Sequence, residues 1–351
     1  MHVPDGFLNA PTSIATGVVA AGAVAVSLRG ARRELDERTA PLAGLVAAFI
    51  FAVQMLNFPV AAGTSGHLLG GALAAILVGP YTGVLCVSVV LLMQGILFAD
   101  GGLTALGVNI TDMAIVTTVV AYALFRALVK LLPRTRRSVT AASFVAALVS
   151  VPVSALAFTA LYAVGGTTDV SIGKVATAMV GVHVLIGIGE AVITALTVGA
   201  VVAVRPDLVH GARDLHQPLK LRVNGELVDT PAAEPVPVAA RSTRKVWAAG
   251  LVASLVLAGF VSFYASASPD GLEKVAADHG IDKKTEDHAS ADSPLADYGV
   301  KDVDDARLSG GLAGAIGVGA TVVAGSAVFW TVRRRRSGGV SPADTSVSAS
   351  A

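Results

Sequence analysis

Nine apolar stretches limit what this chain of 351 residues can fold into. A helix needs about 20 apolar residues to cross a bilayer, and most of these stretches approach or exceed that length. Charged residues make up only 15% of the chain, whereas soluble globular proteins contain about 25%. We therefore predict an all-α multi-pass membrane protein, with crossings at residues 11–28, 42–56, 68–79, 84–98, 105–132, 141–164, 175–204, 246–265 and 308–332.

Basic residues at the ends of the apolar stretches predict the orientation. The segment from Arg29 to Arg38 contains four arginines, and further clusters run from Arg134 to Arg137 and from Arg333 to Arg336. Cytoplasmic loops are enriched in such residues. Seven crossings before Arg205 bring every basic cluster to one side of the membrane. We therefore expect a cell-membrane protein with its N-terminus outside and its C-terminus in the cytoplasm.

The same pattern divides the chain into four parts. Residues 1–205 are predicted to form a seven-helix core, and the proline-containing residues 206–243 a cytoplasmic linker. Residues 244–336 are predicted to form a two-helix hairpin whose external acidic loop we expect to be solvated. Residues 337–351 are rich in Ser, Gly and Ala, which is typical of a disordered tail.

Several classes of function lack their motifs. The sequence contains no G-x-x-x-x-G-K-[ST] phosphate loop and no H-E-x-x-H zinc motif, so we predict neither an ATPase nor a metalloprotease. Cys86 is the single cysteine, which excludes a cysteine-based zinc cluster. The net charge of +1 arises from clusters beside apolar segments, so no nucleic-acid partner is expected. We expect a non-enzymatic membrane protein without a resident cofactor.

The first two residues can form a chelate. No basic region precedes the first apolar stretch, so we expect no cleaved signal peptide and a retained Met1 with a free amine. The amine and the His2 amide nitrogen close a five-membered ring around a metal, and that amide and the imidazole close a six-membered ring. Planar nitrogen ligation favours Ni(II) or Cu(II). A terminal His is, however, more often simply solvated.

Further polar residues lie within or beside the apolar stretches. His67 follows the small residues Gly63 to Gly66, and ionisable groups at membrane depth are usually functional, although hydrogen bonding within the bundle is an alternative. His183 and Glu190 lie seven residues apart and share a helix face. They are candidates for a second metal site, a proton relay or support of the ligands, or for interhelical hydrogen bonds. The same alternatives apply to Gln94, Asn109 and Asp112.

Two segments together resemble a known family. The segments Met1–Leu8 and Gly63–Gly70 are similar to the signature segments of the substrate-binding component of energy-coupling-factor cobalt/nickel transporters, the CbiM/NikM family. The resemblance extends to about residue 205, with Asp112 standing where the family usually has Asn. Pro269–Glu273 resembles the motif of a PDGLE domain, the small accessory component of the same family.

The resemblance implies a ligand set and partners. The metal ligands would be Met1, His2 and His67. The partners would be the lipid bilayer, a transmembrane coupling protein and cytoplasmic ATPases, which agrees with the missing phosphate loop. Residues expected to support the ligands or line the translocation path are Asn57, Ser65, Gln94, Asn109, His183 and Glu190.

The expected function is capture of Co(II) or Ni(II) outside the cell and its translocation as the substrate-specific subunit of an ATP-driven importer. An ion-coupled secondary transporter, with His183 and Glu190 as its proton path, is one alternative. A membrane sensor or scaffold that moves no metal is another. Planar nitrogen ligation and the PDGLE-type fusion both favour nickel over cobalt without excluding cobalt.

Overall fold

The structure, a computed structural model, describes residues 1–35, 39–61, 63–215, 220–223, 226–229 and 243–337. Within these ranges the chain is mostly helical, and seven helices are long and apolar enough to cross a membrane. The predicted all-α multi-pass fold is confirmed. These seven helices span Ala10–Glu34, Pro80–Leu97, Leu106–Leu131, Arg136–Gly165, Ile172–Val204, Arg244–Tyr264 and Ala306–Arg334.

The core contains seven helical units. The bounds are α1 Ala10–Glu34, α2 Ala40–Gln54, α3 Gly71–Val78, α4 Pro80–Leu97, α5 Leu106–Asn109, α6 Thr117–Leu131, α7 Arg136–Gly165 and α8 Ile172–Val204. The helix from Leu106 to Leu131 combines α5, a π-helical stretch over Ile110–Val116, and α6, and counts as one unit. Helices α7 and α8 pack along each other, and α6 packs on α7.

Helix α3 is too short to span a bilayer. Its eight residues are all buried, and it packs against α4, α6 and α7. A small hairpin of β1 (Phe58–Pro59) and β2 (Ser65–Gly66) precedes it. Gly70 (φ +90°) and Gly79 (φ +101°) adopt left-handed backbone conformations at its two ends, which glycine tolerates best. The apolar stretch at residues 68–79, predicted as a crossing, is therefore a short buried helix that follows an irregular loop, and such backbone at membrane depth must be covered by protein.

The C-terminal part packs on one side of the core. It consists of α9 (Arg244–Gly259), α10 (Gly271–His279) and α11 (Ala306–Ser337). Helices α9 and α11 contact each other, and both contact α2. Gly317 on α11 meets the Phe51 ring so closely that a Cβ there would lie 2.2 Å from Cζ. Small residues at such crossings let apolar helices approach each other.

The acidic loop between α10 and α11 differs from the solvated loop that we expected. Its side chains are largely exposed, but its backbone is bonded to the core: Glu286 N donates to Asp5 O (3.0 Å) and Asp297 N to Phe98 O (2.9 Å). The Tyr298 hydroxyl donates to the Asp100 carboxylate at 2.6 Å. The loop therefore covers the end of the core that carries Met1.

The predicted linker is only partly described. Short 3₁₀ turns occupy Pro206–Leu208 and His210–Leu215, and β3 (Lys220–Val223) pairs antiparallel with β4 (Glu226–Asp229). Local hairpin pairing was not predicted from the proline content. The remaining linker residues, 216–219, 224–225 and 230–242, and the predicted tail beyond Ser337 lie outside the described residues.

Candidate metal centre

The N-terminal segment is buried in the core rather than solvated. Met1 is 3% exposed and Val3 is fully buried. Asn109 holds this segment, since its Oδ1 accepts from Val3 N (2.7 Å) and its Nδ2 donates to Val3 O (3.1 Å). Asp5 accepts from Thr104 N at 2.8 Å. These bonds fix the position of residue 1 from several sides.

The Met1 amine has two partners. It lies 2.7 Å from His67 Nε2 and donates to Asp270 Oδ2 at 2.7 Å. The ring nitrogen His67 Nδ1 is 3.0 Å from Leu68 O. Since a carbonyl only accepts, Nδ1 carries the ring proton, and Nε2 presents its lone pair to the amine. The structure thus brings Met1 and His67 together as predicted.

The His2 ring completes the cluster. It stacks on the His67 ring, with centroids 5.0 Å apart and planes inclined by 19°. Its Nδ1 lies 3.2 Å from Asp100 Oδ1, and its Nε2 lies 3.1 Å from Gln94 Oε1. Burial, only partly offset by the Asp100 charge, lowers the pKa of His2 to about 4. The ring is therefore neutral near pH 7, as a metal ligand must be.

Two predicted residues position the loop that carries His67. Glu190 on α8 accepts from Leu69 N (2.7 Å) and Gly70 N (3.1 Å). Ser65 donates from its hydroxyl to Ser268 O at 2.7 Å. Both contacts lie within three residues of His67, so they restrict its position. Glu190 thus forms hydrogen bonds from α8 to the residues just before α3, as in the hydrogen-bonding alternative considered from the sequence.

The remaining predicted residues lie around or below the cluster. Asn57 O accepts from Ser266 N at 2.7 Å, while its side-chain oxygen has no partner among the described residues. His183 is fully buried, with Nδ1 2.7 Å from Met179 O and no partner for Nε2 in the described ranges. Asp112 is fully buried in the π-helical stretch, and neither carboxylate oxygen has a described partner.

Asp270 is the site residue that sequence reasoning did not assign to the cluster. It begins α10 in a capping box: Asp270 Oδ1 accepts from Glu273 N (2.8 Å), and Glu273 Oε2 accepts from Asp270 N (2.9 Å). Burial alone would raise the pKa of Asp270, but the Met1 ammonium holds it well below its ordinary value. The D-x-x-E spacing predicts the cap but not its contact with Met1.

A cavity connects the cluster with the covering loop. Its volume is about 650 Å³, and both the core and the C-terminal part line it. His2, His67 and Asp270 each present a ligand atom, and these atoms lie within 4.8 Å of one another. Neutral imidazole, amine and carboxylate are all ligands of divalent transition metals. The arrangement can therefore hold such an ion.

Comparisons with known proteins agree with this chemistry. The family described as "Cobalt uptake substrate-specific transmembrane region" (CbiM) matches residues 2–208, and the PDGLE domain matches residues 244–334. Both resemblances drawn from the sequence are confirmed.

Individual relatives match somewhat more than half of the chain. A putative metal transport protein of Haloquadratum walsbyi is 40% identical over 209 residues, which are 60% of this chain and 93% of that protein. A putative fused nickel transport protein of Archaeoglobus fulgidus is 43% identical over 211 residues, 60% of this chain and 68% of that protein. A crystal structure of a truncated transition metal transporter superposes with a TM-score of 0.52 at 27% identity, covering 58% of this chain and 99% of that one.

Proposed function

Because the chain belongs to the CbiM family of cobalt uptake transmembrane regions and carries a PDGLE domain, we propose that it is the metal-capturing subunit of an importer. As a cobalt/nickel transport membrane protein, it would take up Co(II) or Ni(II) outside the cell and translocate the ion inward. Separate ATPases and a transmembrane coupling protein would drive the cycle, since this sequence has no phosphate loop.

We propose that the metal is held by the Met1 amine, the His2 amide and imidazole, and His67. The observation that carries this proposal is the 2.7 Å separation of Met1 N and His67 Nε2. Two nitrogens bound at right angles to a metal, with bonds of about 2.0 Å, lie about 2.8 Å apart. The amine and the imidazole are thus spaced as neighbouring ligands. The metal would take the place of the proton now held between them.

The orientation of the chain in the membrane follows from the same proposal. The buried N-terminus would face the outside, and the end of the core with Arg134–Arg137 would face the cytoplasm.

Nickel is the favoured cargo, because planar nitrogen ligation suits Ni(II) and the fused relative of Archaeoglobus fulgidus is named for nickel. In the ion-coupled alternative Glu190 would carry protons, but both its oxygens already accept backbone N–H bonds.

The decisive experiment blocks the N-terminus. The purified protein is compared with a form carrying a short N-terminal extension that a protease removes to leave Met1 first. We expect the extension to weaken Ni²⁺ binding by about 100-fold or more, because loss of even a supporting residue costs 10- to 100-fold. Cleavage should restore binding.

A matched pair of histidine variants accompanies this test. His67→Ala should weaken Ni²⁺ binding to a similar degree, whereas His279→Ala, at the exposed end of α10, should not. Isothermal titration with Ni²⁺ and Co²⁺ measures both. Unchanged affinity in the extended protein and in His67→Ala would refute the proposed ligand set.

A further inference from the structure

The motif Pro269–Glu273 lies directly on the metal centre. Pro269 O accepts from Ser65 N at 2.8 Å, and Ser268 O accepts from the Ser65 hydroxyl. Ser65 is two residues before His67, so the C-terminal part is bonded to the same loop that presents this ligand. The position of Asp270 is therefore set relative to His67, not only relative to its own helix.

Gly271 allows α10 to pack close against α8. A Cβ at this position would lie 2.8 Å from Ile186 Cδ1, 2.9 Å from Val182 Cγ1 and 3.2 Å from His183 Cε1. Real Cβ atoms are rarely found so close to other atoms, so any larger residue would push α10 away from α8. Leu272 is fully buried beside it. Each residue of the motif thus helps to hold Asp270 over the site.

Three donor atoms form a triangle suited to one metal ion. Met1 N lies 2.7 Å from His67 Nε2 and 2.7 Å from Asp270 Oδ2, and the third edge, between His67 and Asp270, is 3.5 Å. The circle through these atoms has a radius of about 1.8 Å, shorter than metal–ligand bonds of about 2.0 Å. An ion slightly out of the plane can therefore contact all three.

The charge of a bound ion also favours Asp270 as a ligand. Neutral amine and imidazole ligands and one deprotonated amide leave a divalent ion with a net charge of about +1, which is costly to bury. Asp270, whose side chain is 10% exposed, supplies the missing negative charge. The Asp100 side chain is 28% exposed and faces His2 Nδ1. Glu273 faces the Asp270 backbone, and within the described residues the ligand cluster contains Asp270 alone as carboxylate.

We propose that Asp270 of the PDGLE domain is an oxygen ligand of the transported metal, added to the nitrogens of the core. The inference rests on the proposed function and deepens it. The accessory domain contributes a ligand of its own, and the ion is bound at the junction of the two parts of the chain. Asp270 Oδ2 accepts from the Met1 ammonium, and an incoming ion would take the place of that proton between the same atoms.

The test uses the full-length protein and two substitutions that keep the helix cap. Asp270→Asn is neutral and of equal size, and Asp270→Ser is too short to reach the site; Asn and Ser both cap helices well. Asp278→Asn, on the exposed end of α10, removes the same charge away from the site and serves as the control. We expect both Asp270 variants to bind Ni²⁺ about 10- to 100-fold more weakly, and the control to bind normally.

X-ray absorption of bound nickel provides a readout independent of transport. Planar four-coordinate Ni(II) has a distinct pre-edge feature that an additional axial oxygen suppresses. We expect this feature to be weak in the native protein and in Asp278→Asn, and strong in Asp270→Ser. Equal or tighter affinity in the Asp270 variants, or identical spectra, would overturn the inference. If His67→Ala still weakens Ni²⁺ binding in that case, the proposed function stands without this inference.

Discussion

The Met1 amine is the atom on which the chemistry of the site depends. It is an ammonium group between a neutral imidazole and a carboxylate, at 2.7 Å from each. An ammonium group cannot bind a metal, so the ion must displace a proton before it can use this nitrogen. The His2 amide must lose a second proton to complete the chelate.

Metal affinity should therefore depend steeply on pH. Burial keeps the pKa of His2 near 4, so the His2 ring binds no proton between this value and its ordinary value of about 6.5 and releases none on metal binding. The amine and amide release about two protons together. We expect Ni²⁺ affinity to rise about 100-fold per pH unit between about pH 6 and pH 7.

Two measurements count the protons released when the metal binds. One is competition with a chelator across this pH range, and the other is calorimetry in buffers of different ionisation enthalpy. Release of about one proton or fewer would show that the amide stays protonated and would contradict the chelate. The N-terminally extended protein is the control, and its residual binding should have a shallower pH dependence.

At the scale of residues, the sequence pointed to the proposed nitrogen ligands but not to the proposed oxygen ligand. Met1, His2 and His67 follow from chelate chemistry and from a histidine beside small residues. Asp270 is 203 residues beyond His67 in the chain, and its local pattern is fully explained by a helix cap. Only docking of α10 onto α8, which Gly271 permits, turns this cap into part of the site.

At the scale of elements, the short helix α3 and the loop before it depend on a single side chain from α8. The buried Glu190 carboxylate satisfies two backbone N–H groups at the start of α3, from Leu69 and Gly70. No water is available to replace these bonds at membrane depth. The irregular backbone that presents His67 is thus stabilised from a neighbouring helix.

Removing the Glu190 carboxylate should destabilise the loop that presents His67. Glu190→Ala leaves two buried N–H groups unpaired at a cost of about 1–3 kcal/mol each, while Glu190→Gln retains one acceptor oxygen. We expect the melting temperature in detergent, and the Ni²⁺ affinity, to fall modestly in Glu190→Gln and strongly in Glu190→Ala.

Thr194, four residues further along the same helix, provides the matched control. It is fully buried, and its hydroxyl has no partner in the described part of the chain, so Thr194→Val should leave both quantities unchanged. Equal melting temperatures for all three variants and the native protein would contradict a structural role for Glu190.

Periodicity and length could predict the long helices, because each apolar run must satisfy its own backbone in a membrane. They could not predict the π-helical stretch at Ile110–Val116 or the pairing of β3 with β4, which have no distinct apolar pattern. The acidic loop was expected to be solvated, and its side chains are largely exposed. Its charges could not predict its fixed position, which comes from backbone bonds such as Glu286 N to Asp5 O.

At the scale of the whole molecule, the two parts behave as partners joined by a linker. The C-terminal part packs on the core through α9 and α11 against α2, and its loop and α10 cover the metal centre. The helices that make these contacts lie within residues 40–54 and 244–337, on either side of residues 230–242. A chain cut within that segment and produced as two polypeptides should therefore reassemble, and the reassembled complex should bind Ni²⁺ as tightly as the intact chain.

The packing of α11 allows a stringent test of this reassembly. At Gly317 a Cβ would lie 2.2 Å from Phe51 Cζ and 2.8 Å from Phe98 Cζ, whereas at Gly319 no atom lies within 4 Å. Overpacking costs about 1–3 kcal/mol, so Gly317→Leu should weaken association of the two polypeptides by about 5- to 150-fold. Gly319→Leu should have little effect. Co-purification of the core with a tagged C-terminal part measures both, and equal recovery of the two variants would place the contact between the parts elsewhere than along this face of α11.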